Sequence, residues 1–247
     1  MDSKHKLDII GCPCYCFKNE EEAFVIVEEI FLSGNGGYSV AINAEKIMLF
    51  KNNQEFRNLI LNSVLPSPDG AGAVIGMNLF HKRTSIKLDL PRLTLEICNR
   101  NSLRLLVLGA IEEVNEKAAD VIKERYPNIN LVGRMNGYFK TKEEVFSKIK
   151  ETVPNIVLIA LGSPRQENLA RELLKENPNV VFIGCGGALD ILSGRVERAP
   201  KFFIENNLEW FYRLVKQPFR IKRQKILPLF MYTLYSKYIK FKLTGNI

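Results

Sequence analysis

Residues 183–220 read IGCGGALDILSGRVERAPKFFIENNLEWFYRLVKQPFR, and they join a glycine-rich turn to a basic, aromatic segment. The apolar run at 180–183 predicts a strand, and residues 188–192 predict the start of a helix. Three glycines lie between them: Gly184, Gly186 and Gly187. A strand, a glycine turn and a helix N-terminus present free backbone N–H groups together, which favours an anion at this turn. The alternative is a buried strand followed by a solvated basic helix.

Cationic and aromatic side chains alternate through the rest of this stretch and beyond it. Residues 195–247 hold 12 Lys/Arg and 3 Asp/Glu, a balance of +9, whereas the remaining residues hold 23 and 24, a balance of −1. The positive charge is therefore concentrated in the last fifth of the chain. This asymmetry predicts a core over residues 1–195 and a basic, amphipathic helical appendage over residues 196–247. The appendage would face a lipid surface, a phosphorylated substrate or nucleic acid.

Upstream of the quoted stretch, strand-like runs alternate with helical patterns. Strands are predicted at 38–42, 104–108, 129–132 and 156–161, and helices at 20–32, 47–61, 112–126, 141–152 and 168–177. This alternation predicts βαβ units, and hence an α/β fold with a mainly parallel, Rossmann-like sheet flanked by helices. Residues 7–16 predict one short strand with an irregularity at Pro13.

Polar residues and glycines follow the predicted strands at their carboxyl ends. Right-handed crossovers place these ends on one edge of a parallel sheet, where open α/β sheets bind their ligands. We therefore expect a single cleft lined by residues from separate strand ends: Asn43, Asp69, Gly109, Asn136, Gln166 and Gly186.

Asp69 is the strongest candidate for a catalytic group in this cleft. It lies between two prolines and two glycines, in the segment PSPDGAG at 66–72. Prolines fix such a loop and glycines let a ligand approach closely, which favours a carboxylate that contacts substrate. An aspartate that merely forms a turn is the alternative.

Several classes of protein are disfavoured by what the sequence lacks. It contains no Walker loop, no GxGxxG and no GxSxG elbow. No uncharged apolar run is long enough to span a membrane, and charges crowd the N-terminus, so we expect a cytoplasmic protein. The alternating Cys12, Cys14 and Cys16, with only two histidines, predict buried thiols rather than a metal site.

The chain resembles the WecG/TagA/CpsF family of bacterial glycosyltransferases. The resemblance covers about residues 8–245 and depends on six motifs in register. These are VAINAEK at 40–46, PDG at 68–70, NGYF at 136–139, GSPRQE at 162–167, GCGGALDILSGRVERAP at 184–200 and LEWFYRLVKQPFR at 208–220. The family implies inverting transfer of a sugar from a UDP-sugar to an undecaprenyl-diphosphate-linked amino sugar, with no cofactor and no metal ion.

The segment AINAEK at 41–46 is most similar to the WecG branch of the family. That similarity implies N-acetylmannosaminuronic acid as the sugar and lipid-linked GlcNAc as the acceptor, as in enterobacterial common antigen. Two departures from the family pattern leave the donor open. Ala41 stands where many relatives have Thr, and TSIKLDL at 84–90 keeps only Asp89 of an Arg-x-x-Gly-x-Asp/Glu pattern. UDP-N-acetylmannosamine and UDP-glucose are the alternatives, and a uronate could be bound by Arg134, Lys87 or Arg165.

The resemblance also implies roles for individual residues. Asp69 would be the base that deprotonates the acceptor hydroxyl. Substrate contacts are expected from Asn43, Gly109, Asn136, Gly162, Ser163, Gln166, Gly186 and Gly187. Gln166 could instead only cap its helix. With no Asp-x-Asp motif, the diphosphate would be bound by backbone N–H groups and by Arg213, Arg220 and Arg223.

The basic tail predicts where the protein acts. Residues 221–242 mix cations with large apolar side chains, as in segments that insert shallowly at an anionic leaflet. We therefore expect a peripheral protein on the inner face of the cell membrane, which deletion of 221–247 would shift into the soluble fraction. Alternatively the tail packs on the body or on a second subunit, which leaves a homo-oligomer open. A nucleic-acid-binding module is the rival class, although it leaves the cleft residues without a use.

Overall fold

The computed structural model describes residues 5–81, 83–205, 209–216 and 225–244. Within these residues, an antiparallel hairpin of β1 (Lys6–Ile9) and β2 (Cys12–Tyr15) precedes a six-stranded sheet. The sheet strands are β3 (Gly37–Ile42), β4 (Leu65–Pro68), β5 (Arg104–Gly109), β6 (Asn130–Met135), β7 (Ile156–Ala160) and β8 (Val181–Gly184). Their spatial order is β4-β3-β8-β7-β5-β6, and every neighbouring pair is parallel. The predicted parallel α/β sheet is confirmed.

Helices connect and cover these strands. In chain order they are α1 (Glu20–Leu32), α2 (Ala44–Asn52), α3 (Gln54–Leu61), α4 (Ala71–His81), α5 (Leu90–Arg100), α6 (Glu112–Arg125), α7 (Lys142–Thr152), α8 (Arg165–Glu176), α9 (Ala188–Leu192), α10 (Lys201–Glu205), α11 (Glu209–Lys216) and α12 (Ile226–Thr244).

The sheet separates two hydrophobic cores. On one face, the side chains of alternate strand residues pack with α2, α3, α4, α7, α8 and α12 and with the hairpin. On the other face, the intervening strand residues pack with α1, α5, α6 and α9. The inner strands are therefore buried on both faces, which explains why Ile156–Ala160 (IVLIA) is apolar at every position, whereas the edge strand β6 is only partly buried.

The single strand predicted over residues 7–16 is wrong, because the segment folds back on itself as a hairpin. Ile10 and Gly11 form its turn with φ values of +55° and +91°, and the Asp8 carboxylate accepts the Gly11 N–H at 2.5 Å. A β-branched residue seldom adopts positive φ, so Ile10 gave no signal of a turn.

The single helix predicted over 47–61 is also wrong. Asn43 caps a helix that begins at Ala44, and Asn53 ends that helix and caps the next one. The Asn53 side chain accepts the backbone N–H of Phe56 at 2.9 Å. Side-chain capping by Asn is strong enough to restart a helix where the chain bends.

All five cysteines are buried and free, as predicted. Burial raises the pKa of the Cys12, Cys98 and Cys185 thiols to about 12. Such thiols remain protonated near neutral pH and behave as small apolar side chains.

The C-terminal helix α12 packs on the body of the protein through one of its faces. Phe230 and Leu234 are fully buried within the core that contains α2 and α4. Phe80 of α4 contacts Tyr238 and Phe241, with ring centroids 6.0 and 6.1 Å apart. The helix is therefore held by the same core as the sheet, while the boundary predicted at residues 195 and 196 stays a prediction.

Candidate active site

The carboxyl ends of the sheet strands gather the predicted site residues along one edge. Asp69 follows β4, Asn43 follows β3, and the glycine turn at 184–187 ends β8. Because β3 lies between β4 and β8, Asn43 lies between Asp69 and that turn. The chain leaves β5 toward β6 and leaves β7 toward β8, in opposite directions, which creates a crevice at this edge.

Asp69 lies at the carboxyl end of β4, beside the end of β3. Its backbone N–H donates to the Ile42 carbonyl at 2.8 Å, which fixes the residue beside the end of β3. The residue is half-buried, and its carboxylate has no hydrogen-bond or ion-pair partner among the described residues. Gly70 follows with φ +86°, a conformation that suits glycine. The carboxylate is therefore held at the carboxyl edge of the sheet and has no partner among the described residues.

Asn43 performs a structural task and retains one free group. Its side-chain oxygen accepts the Lys46 N–H at 3.1 Å and so caps α2. Its Nδ2 has no partner within the part of the chain that the structure describes. Because capping fixes the side chain, the amide can donate to a substrate hydroxyl next to Asp69.

Gln166 lies in the wall of the crevice. The residue is 5% exposed. Its Oε1 accepts the Gly186 N–H at 3.1 Å, and its Nε2 donates to Glu167 Oε1 at 3.3 Å. The amide thus braces the glycine turn, and direct contact with substrate stays a prediction for Gln166. Gly187 caps α9, a helix of only five residues, so this end offers less of a helix dipole than the sequence suggests.

Gly162 and Ser163 form the loop between β7 and α8. The Gly162 carbonyl accepts the Gln166 N–H at 3.0 Å, with Gly162 at φ +73°. Ser163 is half-buried, and its hydroxyl has no partner among the described residues. The Ser163 hydroxyl in this loop is therefore available to form a hydrogen bond with a ligand.

The far side of the crevice is formed by the ends of β5 and β6. Gly109 has φ +116°, and a Cβ there would overlap the backbone of Ala160. Asn136 donates to Glu112 Oε2 at 2.6 Å and accepts the Tyr138 N–H at 2.9 Å. The hydrogen bond from Asn136, and then that from Arg134, lowers the pKa of the exposed Glu112 carboxyl. Asn136 is thus used to shape its loop.

A groove of about 400 Å³ opens next to this part of the edge. It lies between the first turn of α6 and the turn after α9, and its lining includes Ile111, Lys117, Gly194 and Arg195. The two helices follow β5 and β8, and none of the predicted site residues is among the lining residues of this groove.

The structure shows which of the three candidate uronate-binding cations already have an ion-pair partner. Lys87 forms an ion pair with Glu209, and Arg134 is paired with Glu112 and Glu116. Arg165 is exposed at the start of α8 and has no partner among the described residues. Arg213 lies in α11, whereas Arg220 and Arg223 lie outside the described residues, so their contact with a diphosphate stays a prediction.

One buried pair was missed by sequence reasoning. Lys46 Nζ lies 2.6 Å from Glu167 Oε1, and the two side chains are 6% and 1% exposed. Both residues are within quoted motifs, VAINAEK and GSPRQE, but 121 positions separate them. No local pattern marks such a pairing. Among the described residues, no three His, Cys, Asp or Glu are grouped so that they could hold a metal ion.

Comparison with known proteins identifies relatives over nearly the whole chain. A family model described as the glycosyl transferase WecG/TagA/CpsF family matches residues 7–243. An N-acetylglucosaminyldiphosphoundecaprenol N-acetyl-beta-D-mannosaminyltransferase from Bacillus subtilis (strain 168) is 32% identical over 205 residues, which cover 82% of this chain and 80% of that relative.

Proposed function

This chain belongs to the WecG/TagA/CpsF family of glycosyl transferases, and we propose that it transfers N-acetylmannosamine or a close derivative from a UDP-sugar to polyprenyl-diphosphate-linked GlcNAc. The printed name of the Bacillus subtilis relative supports this acceptor and this sugar. The observation that carries the proposal is the half-buried Asp69 carboxylate, which no described residue occupies, beside the Nδ2 of Asn43.

The reaction is a single displacement with inversion. Asp69 accepts the proton of an acceptor hydroxyl as the hydroxyl oxygen bonds to the anomeric carbon of the donor. The bond from that carbon to the diphosphate oxygen breaks, and UDP leaves with the electron pair. Asn43 donates to a hydroxyl of one of the two sugars, which holds them in line for attack.

The leaving diphosphate requires stabilisation. We assign this task to Arg213, Arg220 and Arg223 and to the backbone N–H of Gly187. The N–H groups of Gly184, Cys185 and Gly186 already donate within the protein, so the several free N–H groups expected of this turn are reduced to one among the described residues. An arginine fork bonds phosphate oxygens in pairs, which suits a metal-independent enzyme. Transfer should then continue in EDTA.

A donor panel tests this proposal. Purified protein is given UDP-N-acetylmannosamine, UDP-N-acetylmannosaminuronic acid or UDP-glucose with a short polyprenyl-diphospho-GlcNAc, and released UDP is measured. We expect acceptor-dependent release with a mannosamine-type donor and little with UDP-glucose. The uronic acid favoured by the sequence stays a prediction. Two of its three candidate cations, Lys87 and Arg134, are already paired, so a preference for it would point to Arg165.

Failure of all three donors to release UDP in the presence of the acceptor would contradict the proposed function. Release at the same rate without the acceptor would contradict the assignment of the acceptor.

We also propose that the outer face of α12 holds the enzyme at the inner membrane surface. Large apolar side chains are exposed along one side of this helix, namely those of Leu229, Tyr232, Ile239 and Leu243. Exposed lysines flank them at positions 237 and 242. Such a face inserts shallowly into an anionic leaflet. No helix within the described ranges is long and apolar enough to cross a membrane.

Vesicle binding of a surface variant tests this placement. The triple variant Tyr232→Ser/Ile239→Ser/Leu243→Ser should partition onto anionic vesicles at least about tenfold less than wild type, because each side chain loses part of its apolar burial. Val25→Ser, on an exposed site of α1 on the opposite side of the sheet, is the control. Equal binding of the triple variant and wild type would remove α12 as the membrane contact. Deletion of the tail is a poorer test, because it also removes the buried Phe230 and Leu234.

A further inference from the structure

We propose that Lys46 and Glu167 are positioning residues, which orient the Gln166 amide and thereby fix the glycine turn at 184–187 for the sugar nucleotide. This inference deepens the proposed function, since it assigns the turn to the donor site. Lys46 and Glu167 would act through the Gln166 amide and would not themselves contact substrate.

The Lys46–Glu167 ion pair is almost completely buried, which is unusual for two charged side chains. Both side chains are almost fully removed from solvent, with Nζ and Oε1 2.6 Å apart. Desolvation of two charges offsets most of their attraction, so an apolar pair of similar size would stabilise the fold about as well. Because the pair adds little net stability, its presence is better explained by the hydrogen bonds that it makes with its neighbours.

A continuous series of contacts leads from this pair to the turn. Glu167 Oε1 accepts from Lys46 and also from Gln166 Nε2, at 3.3 Å. The other end of the same amide accepts the Gly186 N–H at 3.1 Å. The series thus connects the first turn of α2, through the first turn of α8, to the end of β8.

Glu167 selects the orientation of the Gln166 amide. An ionised carboxylate only accepts hydrogen bonds, so it attracts the NH₂ end of the amide and directs the carbonyl end toward Gly186. Were the amide reversed, its NH₂ group would face the Gly186 N–H, and two donors would meet. Lys46 supplies the opposite charge that a buried carboxylate requires.

The shape of the turn depends on this orientation. Gly186 has φ +51°, a left-handed conformation, and its N–H is bound by the amide. Gly184 lies against the same amide, because a Cβ at Gly184 would overlap Gln166 Nε2. The Gly184 N–H donates to Ser39 Oγ at 3.1 Å, which ties the turn to β3 as well. The turn is thus held from two sides at the edge of the crevice next to Asn43.

Two double variants with matched packing test the inference. Lys46→Met/Glu167→Gln removes both charges and keeps an acceptor for Gln166, whereas Lys46→Met/Glu167→Met removes the acceptor too. Thermal unfolding establishes that both fold. In the Gln variant the new amide oxygen can still accept from Gln166 Nε2, and the Gly186 N–H still favours the carbonyl end of the Gln166 amide, so we expect this variant to bind UDP about as wild type does. We expect the Met variant to bind UDP about tenfold or more weakly, because it loses a buried hydrogen bond.

Amide hydrogen exchange of the peptide that contains residues 184–187 provides a readout without UDP. Exchange in this peptide should accelerate about tenfold or more in the Met variant and stay near the wild-type rate in the Gln variant. Equal exchange in the two variants would overturn the positioning role. Unequal exchange with equal UDP affinity would overturn the assignment of the turn to the donor site. If wild type itself fails to bind UDP, the proposed function fails while the exchange result still tests the series.

Gly184→Ala keeps the inference testable if the Met variant does not fold. This substitution displaces the Gln166 amide and leaves Lys46 and Glu167 unchanged. It should weaken UDP binding and accelerate exchange in the same way, and wild-type values for both would overturn the proposal.

Discussion

The Asp69→Asn protein is expected to fold like wild type and to transfer sugar at least about 100-fold more slowly, because a positioned general base contributes about 10²- to 10⁴-fold. The amide has the shape of the carboxylate but cannot accept the proton of the acceptor hydroxyl. The variant should fold without strain, since the substitution breaks no hydrogen bond between this carboxylate and a described residue. Steady-state kinetics should show the loss in kcat, with KM for the donor little changed.

Asp120→Asn is the matched control, because Asp120 is an exposed carboxylate on α6. It should retain wild-type kinetics. A folded Asp69→Asn protein that works at the wild-type rate would remove Asp69 as the base. A large increase in KM with unchanged kcat would instead assign Asp69 to substrate binding.

The Phe230→Ala protein is expected to lose about 3–5 kcal/mol of its free energy of unfolding, as buried phenylalanines do when a cavity replaces them. Phe230 is fully buried, and it packs among residues of α2 and α4. Gly72 at the start of α4 lies so near that a Cβ there would come within 3.2 Å of the Phe230 ring. Chemical denaturation of both proteins measures the difference.

Tyr232→Ala, two positions along the same helix, is the control. Tyr232 is 73% exposed, so its truncation should change the free energy of unfolding by about 0.5 kcal/mol or less. If the two variants were equally stable, α12 would not be part of the core. The difference would also separate the two faces of the helix, one packed on the body and one exposed to solvent.

The arrangement of the sheet could be predicted because its causes are local. Runs such as IVLIA at 156–160 are apolar at every position, which indicates strands covered on both faces. Alternation with helical patterns then requires parallel strands and places their carboxyl ends together. The position of Asp69 at such an end could be predicted because the prolines and glycines around it mark a fixed loop, while its catalytic role stays a prediction.

Features that depend on distant partners could not be predicted. The Lys46–Glu167 pair joins two helices that are far apart in sequence, and neither residue type is normally buried. The pairing of Lys87 with Glu209 likewise depends on how the last part of the chain returns to the body. Helix α5 had a local signal that was overlooked, since Asp89 caps it and Pro91 lies in its first turn.

The most direct test of the central claim follows the sugar itself. Purified protein is incubated with a UDP-mannosamine-type donor labelled in the sugar, and polyprenyl-diphospho-GlcNAc is extracted into organic solvent. We expect label in the lipid phase that requires the acceptor and that falls at least about 100-fold in Asp69→Asn. Equal labelling by wild type and Asp69→Asn, or no lipid-linked label with any mannosamine-type donor, would contradict the central claim.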